Sequence, residues 1–109
     1  MAEQDREHPI GWGQARELIN AHRSAAGVTA STSEGGFGGA FKKADVIALL
    51  SQANCQFLRI YYAKRANGSP TLVLIGVDAD RKDMVDGIVL DNHYPCPPWC
   101  PPGGAGEKA

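Results

Sequence analysis

The residues best equipped for chemistry lie near the C-terminal end, where His93, Cys96 and Cys100 follow the spacing His-x2-Cys-x3-Cys. Thiolate and imidazole together suit zinc, which takes four tetrahedral ligands. Only three are local, so Cys55, His8, His22 or a second chain has to supply the fourth. The usual Cys-x2-Cys pair is absent. Zinc at His93, Cys96 and Cys100 is therefore one reading, and a redox-responsive thiol pair at Cys96 and Cys100 is another. Five of the seven prolines fall between Pro95 and Pro102. A polyproline II stretch would hold the Cys96 and Cys100 Cα atoms about 12 Å apart, whereas a disulfide needs about 7 Å or less. The two thiols meet only if the chain bends, for which a cis proline is an available device. The preferred expectation is simpler. Pro97, Pro98 and Trp99 form a rigid apolar strap across the sheet edge, with the cysteines as small buried hydrophobes.

Other chemistry-bearing groups point to structure. Asp78, Asp80, Asp83 and Asp86 depart from the calcium-loop pattern, because Lys82 and Asp83 occupy its fifth and sixth positions. A solvated turn is the expectation. The run Gly35, Gly36, Gly38, Gly39 precedes Lys42 and Lys43, but no strand comes before it and the phosphate-loop spacing is unmatched. Cys55 has no nearby histidine to activate it and reads as a buried structural cysteine. His22 shares an apolar helix stripe and reads as partly buried. No catalytic constellation is apparent, so a non-enzymatic protein without a required cofactor is expected.

These groups must be positioned by a modest fold. A chain of 109 residues with 43% hydrophobic composition predicts one globular domain. A net charge of -1 argues against nucleic acid and anionic membrane as partners. No stretch approaches the roughly 20 apolar residues of a membrane span. The polar start lacks a basic-then-apolar signal pattern, which predicts the cytosol. Three cysteines in a reducing compartment do not read as a disulfide framework.

The expected layout is α+β, with two N-terminal helices packed on one face of a small antiparallel meander of about three strands. Residues 1–8 form a polar leader. A single domain covers 9–95, with a flexible Gly-rich connector at 25–39, and residues 96–109 are the strap and a disordered tail. Helix one runs over about 9–24, with Pro9 in its first turn and a stripe of Ile10, Ala15, Leu18, Ile19 and His22. Helix two runs over about 42–52, and Asn54 can end it. Asn67-Gly68 predicts a two-residue type I′ hairpin turn. Ala66 then faces Ser69, Tyr62 faces Val73, Ile60 faces Ile75 and Leu58 faces Val77, making an apolar side for the helices to cover. The other side is mixed and sets Arg59 and Tyr61 beside Leu72 and Leu74. With Trp99, these four are the expected interaction residues. Residues 84–90 are the third strand, bent at Gly87.

The chain resembles a group of small bacterial proteins that end in a Cys-Pro-Pro-x-Cys segment. The resemblance covers roughly residues 38–100. It rests on Gly38-Gly39-Ala40-Phe41 before a helix, Cys55 before a strand, Ile60-Tyr61-Tyr62, Leu72 to Asp78, and Cys96-Pro97-Pro98-Trp99-Cys100. It implies a coherent stand-alone domain with no activity attached, and with the polar start it sets the expectation of a bacterial cytosol. The resulting expectation is a binding or assembly module for a protein partner, with self-association as its simplest form.

Overall fold

The computed structural model describes residues 6–26 and 35–101. In chain order these form α1 (Trp12–Ala26), β1 (Gly38–Ala40), α2 (Lys43–Leu50), β2 (Phe57–Lys64), β3 (Pro70–Val77), β4 (Val89–Leu90) and β5 (Tyr94–Cys96). The class is mixed α and β with two antiparallel sheets, β2-β3-β4 and a ribbon of β1 with β5.

The hairpin forms where β-branched and aromatic residues cluster, but its register is one residue away from the expected one. Tyr62 pairs with Leu72, Ile60 with Leu74 and Leu58 with Gly76. The turn is the cause. Arg65 N–H donates to Ser69 O at 2.8 Å and Gly68 N–H to Arg65 O at 2.9 Å, so the loop holds three residues rather than two. Gly68 has φ +90°, the left-handed residue that follows a type I turn in such loops. The shift puts Leu58, Ile60, Tyr62, Leu72 and Leu74 on one side, and Arg59, Tyr61, Val73 and Ile75 on the other.

The helices cover less of the sheet than expected. α2 combines good helix formers with Asp45 in its first turn, which suits the helix dipole. Its Leu49 is fully buried, and Leu74, Ile75 and Val77 complete the buried hydrophobic set among the described residues. Just past α2, Gln52 acts as a clip. Its Nε2 donates to Leu49 O and its Oε1 accepts from Ile88 N–H, both at 2.8 Å. A Cβ at Gly76 would lie 3.0 Å from Cys55 Sγ and 3.3 Å from Met84 Sδ, so this corner closes over the Leu58 end of the sheet. Asn54 does take the left-handed conformation beyond the helix, with φ 75°.

The far end of that sheet side stays open, with Ile60 51% and Tyr62 93% exposed. α1 does not cover it. The helix begins at Trp12, after Pro9, and Leu18 is exposed. Its contacts run to the segment before β1, through His22 Nε2 to Gly36 O at 3.1 Å and Arg23 over the Phe37 ring at 3.8 Å. His22 is therefore exposed rather than partly buried. The expected third strand contracts to β4 because residues 85–87 make a turn and Asp83 forms only an isolated bridge to Val77. The turn falls at Gly87, as the bend was expected to.

Candidate functional site

The glycine run, expected to be a connector, is half of the site. Gly38 pairs with Cys96, Gly39 with Pro95 and Ala40 with Tyr94. Gly35 N–H donates to Pro97 O at 2.7 Å and Phe37 N–H to Cys96 O at 2.9 Å. The strap therefore lies along residues 35–40 rather than across the edge of the three-stranded sheet. Residues 27–34 of the connector, 1–5 of the leader and 102–109 of the tail lie outside the described residues.

Glycine is required here by the close approach of His93. That side chain is 4% exposed, and any Cβ on Gly39 would fall inside its ring. His93 also stacks on Phe41, with ring centroids 6.1 Å apart, and its Nδ1 lies 3.5 Å from Thr71 Oγ1. The Thr71 hydroxyl donates to Asp91 Oδ1 at 2.7 Å.

The strap bends. Trp99 N–H donates to Pro95 O at 2.7 Å and Cys100 N–H to Pro98 O at 3.0 Å. The Cys96–Pro97 and Pro97–Pro98 peptides are both cis. Cys96 and Cys100 are joined in a disulfide, with their Cα atoms 4.8 Å apart. This corrects the expectation of an extended strap with unbonded cysteines. The chain reverses within five residues, so the polyproline distance does not apply. It also bears on the zinc set. Both sulfurs are committed to each other and His93 is packed in the core. Among the described residues no group of three or more His, Cys, Asp or Glu is arranged to hold a metal ion. Cys55 is the free thiol among the described residues and is half-buried rather than buried, with Sγ 3.5 Å from Phe57 O.

Trp99 is exposed at 61%, beside the exposed Pro98, while Pro97 is buried. Its ring leans on Tyr94, with centroids 4.9 Å apart and planes at 33°. Beside it opens an apolar groove of about 460 Å³, lined by Gly39, Ala40, Cys96, Trp99, Cys100 and Pro101. A groove of this volume is in the range of small-ligand sites. A second, more polar cleft of about 290 Å³ lies around Lys42, Asp45, Asp91 and Asn92.

The other expected contact residues separate. Leu72 and Leu74 are on the opposite side of the sheet from Arg59 and Tyr61, because of the register. Leu74 is buried. Asp83 is bridged opposite Val77, so its carboxylate reaches the Arg59 side. Arg59 Nη1 donates to Asp83 Oδ1 at 2.6 Å and the Tyr61 hydroxyl to Asp83 Oδ2 at 2.5 Å. Tyr61, and with it Asp83, raise the Arg59 pKa from its ordinary value. This triad ties the turn to the sheet. The remaining aspartates behave as a solvated turn, with Asp78 Oδ1 accepting the N–H groups of Asp80 and Lys82.

Asp91 supplies a pH test of the ribbon's support. The Asn92 N–H and the Thr71 hydroxyl hold its carboxyl below the ordinary value. A depressed folded pKa stabilises the fold above the unfolded pKa of about 3.9, and that contribution is lost as pH falls through the folded value. The urea midpoint should therefore fall on acidification below that point, and Asp91→Asn should flatten the fall. Identical acid profiles for the two proteins would assign the effect to another carboxylate.

The signals for this site were weak in the sequence. Trp99, Cys96 and Cys100 stood out by type. Gly39, Ala40 and Tyr94 did not, because only long-range pairing brings them there. Comparison with protein-family models, with curated proteins and with solved structures finds no match for this chain.

Proposed function

We propose that the protein is a small non-enzymatic binding module that takes an apolar or aromatic side chain of a protein partner into the Trp99 groove. The observation that carries this is an exposed tryptophan, braced by Tyr94 and the Cys96–Cys100 bond, beside an apolar cleft. Tryptophan is enriched among residues that dominate binding energy, and a fixed ring loses little freedom on contact. A net charge of -1 favours a protein partner over nucleic acid. The Arg59, Tyr61, Leu72, Leu74 surface has no part in the proposal, since the register splits it.

A second reading is favoured by the bond itself. In the bacterial cytosol proposed for this chain, disulfides are transient and report redox state. The pair would then switch the groove: thiol–disulfide exchange with a reduced cellular dithiol delivers two electrons and two protons, opens the bond and releases the turn, and exchange with an oxidised disulfide takes them back and closes it.

Both readings meet in one experiment. Peptides displayed on phage are selected on the oxidised protein, and the survivors are titrated against wild type, Trp99→Ala, and protein reduced and alkylated. The expected peptides carry an aromatic or large aliphatic anchor and bind Trp99→Ala about 30-fold more weakly, as for a tryptophan hot spot. Loss of binding on reduction, with the free-thiol count rising, supports the switch. Binding indifferent to Trp99→Ala ends the first reading, and binding indifferent to reduction ends the second.

A further inference from the structure

We infer that β2 is a self-pairing edge, through which two copies of this chain join antiparallel about a two-fold axis at Ile60. The surface is separate from the Trp99 groove, and the inference does not depend on that reading.

Hydrogen-bond parity decides which backbone groups of β2 are unpaired by β3. β2 pairs with β3 alone and ends its sheet. Arg65 and Ser69 are opposite one another and bonded, and the register continues unbroken to Phe57 and Val77. Bonded pairs in an antiparallel ladder recur every second residue. The odd positions of β2, Arg59, Tyr61 and Ala63, therefore turn their N–H and C=O groups toward β3. Those of Leu58, Ile60 and Tyr62 point outward, into an edge with no strand beside it among the described residues. Such an edge is a template for another strand. The same three residues carry their side chains onto one side of the sheet, whose far end is open at Ile60 and Tyr62. Backbone and side chains thus call for an extended apolar segment.

The strand itself is that segment. A two-fold axis perpendicular to the sheet keeps equivalent sides together, so opposite residues must share parity. Centring the axis on Arg59 sets Arg59 against its own copy, and like charges directly opposite are destabilising. Centring it on Tyr62 sets Arg59 against Arg65. Centring it on Tyr61 sets Leu58 against Lys64 and Phe57 against Arg65. Centring it on Ile60 sets Ile60 against Ile60, Leu58 against Tyr62, Phe57 against Ala63 and Arg59 against Tyr61. That register matches apolar with apolar and leaves no like charges opposed. The two three-stranded sheets become one continuous sheet with a shared apolar side.

Sedimentation equilibrium from about 1 µM to about 1 mM, a range suited to a modest interface, is expected to show a species of twice the 11.6 kDa chain mass. Tyr62→Lys and Ile60→Pro should each weaken the dimer at least about tenfold, by opposing the apolar match and by removing an outward N–H that β3 does not use. Unchanged far-ultraviolet dichroism shows that the variants fold, and Trp99→Ala should leave the dimer intact. Ile60→Cys should cross-link to itself under mild oxidation, since a bonded pair at about 5.5 Å lies within disulfide range. Tyr61→Cys should not. A protein monomeric throughout the range overturns the inference, and so does a dimer indifferent to Tyr62→Lys and Ile60→Pro. Cross-linking at 61 instead of 60 overturns the register.

Discussion

Gly39→Ala is expected to destabilise the protein by about 3 kcal/mol, at the upper end of the cost of overpacking a site with no room to yield. A Cβ at this position would occupy space held by the His93 ring. The ring cannot retreat easily. It is buried, stacked on Phe41, and has its Nδ1 3.5 Å from Thr71 Oγ1. The displaced element would be β1, and with it the ribbon to β5 that lines the groove. Urea denaturation gives the stability change, and Trp99 fluorescence reports the groove. Gly38→Ala is the useful contrast. No atom lies within 4 Å of a Cβ there, so only its φ of +152° opposes the substitution. Equal stability of wild type and Gly39→Ala would mean that β1 and His93 are not packed as described.

Leu49→Ala carries a comparable cost for a different reason. Leu49 is 0% exposed, and the buried hydrophobic set among the described residues is short. Truncating a buried leucine costs roughly 2–5 kcal/mol, the larger values where the cavity cannot collapse. Here the Leu49 carbonyl is also held by Gln52 Nε2, which ties the end of α2 to Ile88. That clip resists collapse, so a cost of about 3 kcal/mol or more is expected against a total stability of roughly 5–15 kcal/mol. Leu50→Ala, at an exposed neighbour, should cost far less. A thermal melt of the two variants separates these outcomes, and equal melting temperatures would contradict the packing of α2.

What the sequence reveals here depends on how local the determinant is. α2, the hairpin, the Asp78 turn and the bend at Gly87 each follow from neighbours in the chain, and each is legible. The hairpin register is not. Leu72 to Ile75 is apolar at both parities, so burial does not choose between pairings one residue apart. The choice falls to the loop, where Gly68 serves a three-residue turn as readily as a two-residue one. α1 misleads because an apolar stripe predicts a helix without naming what it packs on. The strap misleads for a geometric reason, since a proline-rich composition suggests extension while the backbone bonds from Trp99 and Cys100 close a turn. The site is half legible. Cys96, Trp99 and Cys100 announce themselves, whereas the glycines that bed them read as a connector.

The ribbon of β1 and β5 has a consequence for the order of folding. The β2–β3 hairpin closes through a three-residue loop, whereas Gly38 and Cys96 bracket nearly all of the described sheet and α2. Loop-closure entropy delays contacts between residues far apart in sequence. The hairpin is therefore the early nucleus, and the ribbon is the last joint to close. Because the Trp99 groove takes its walls from both sides of that joint, it exists only in chains that have finished folding. A partner seated there would act as a latch on the completed fold, and its occupancy would read out maturity of the whole domain.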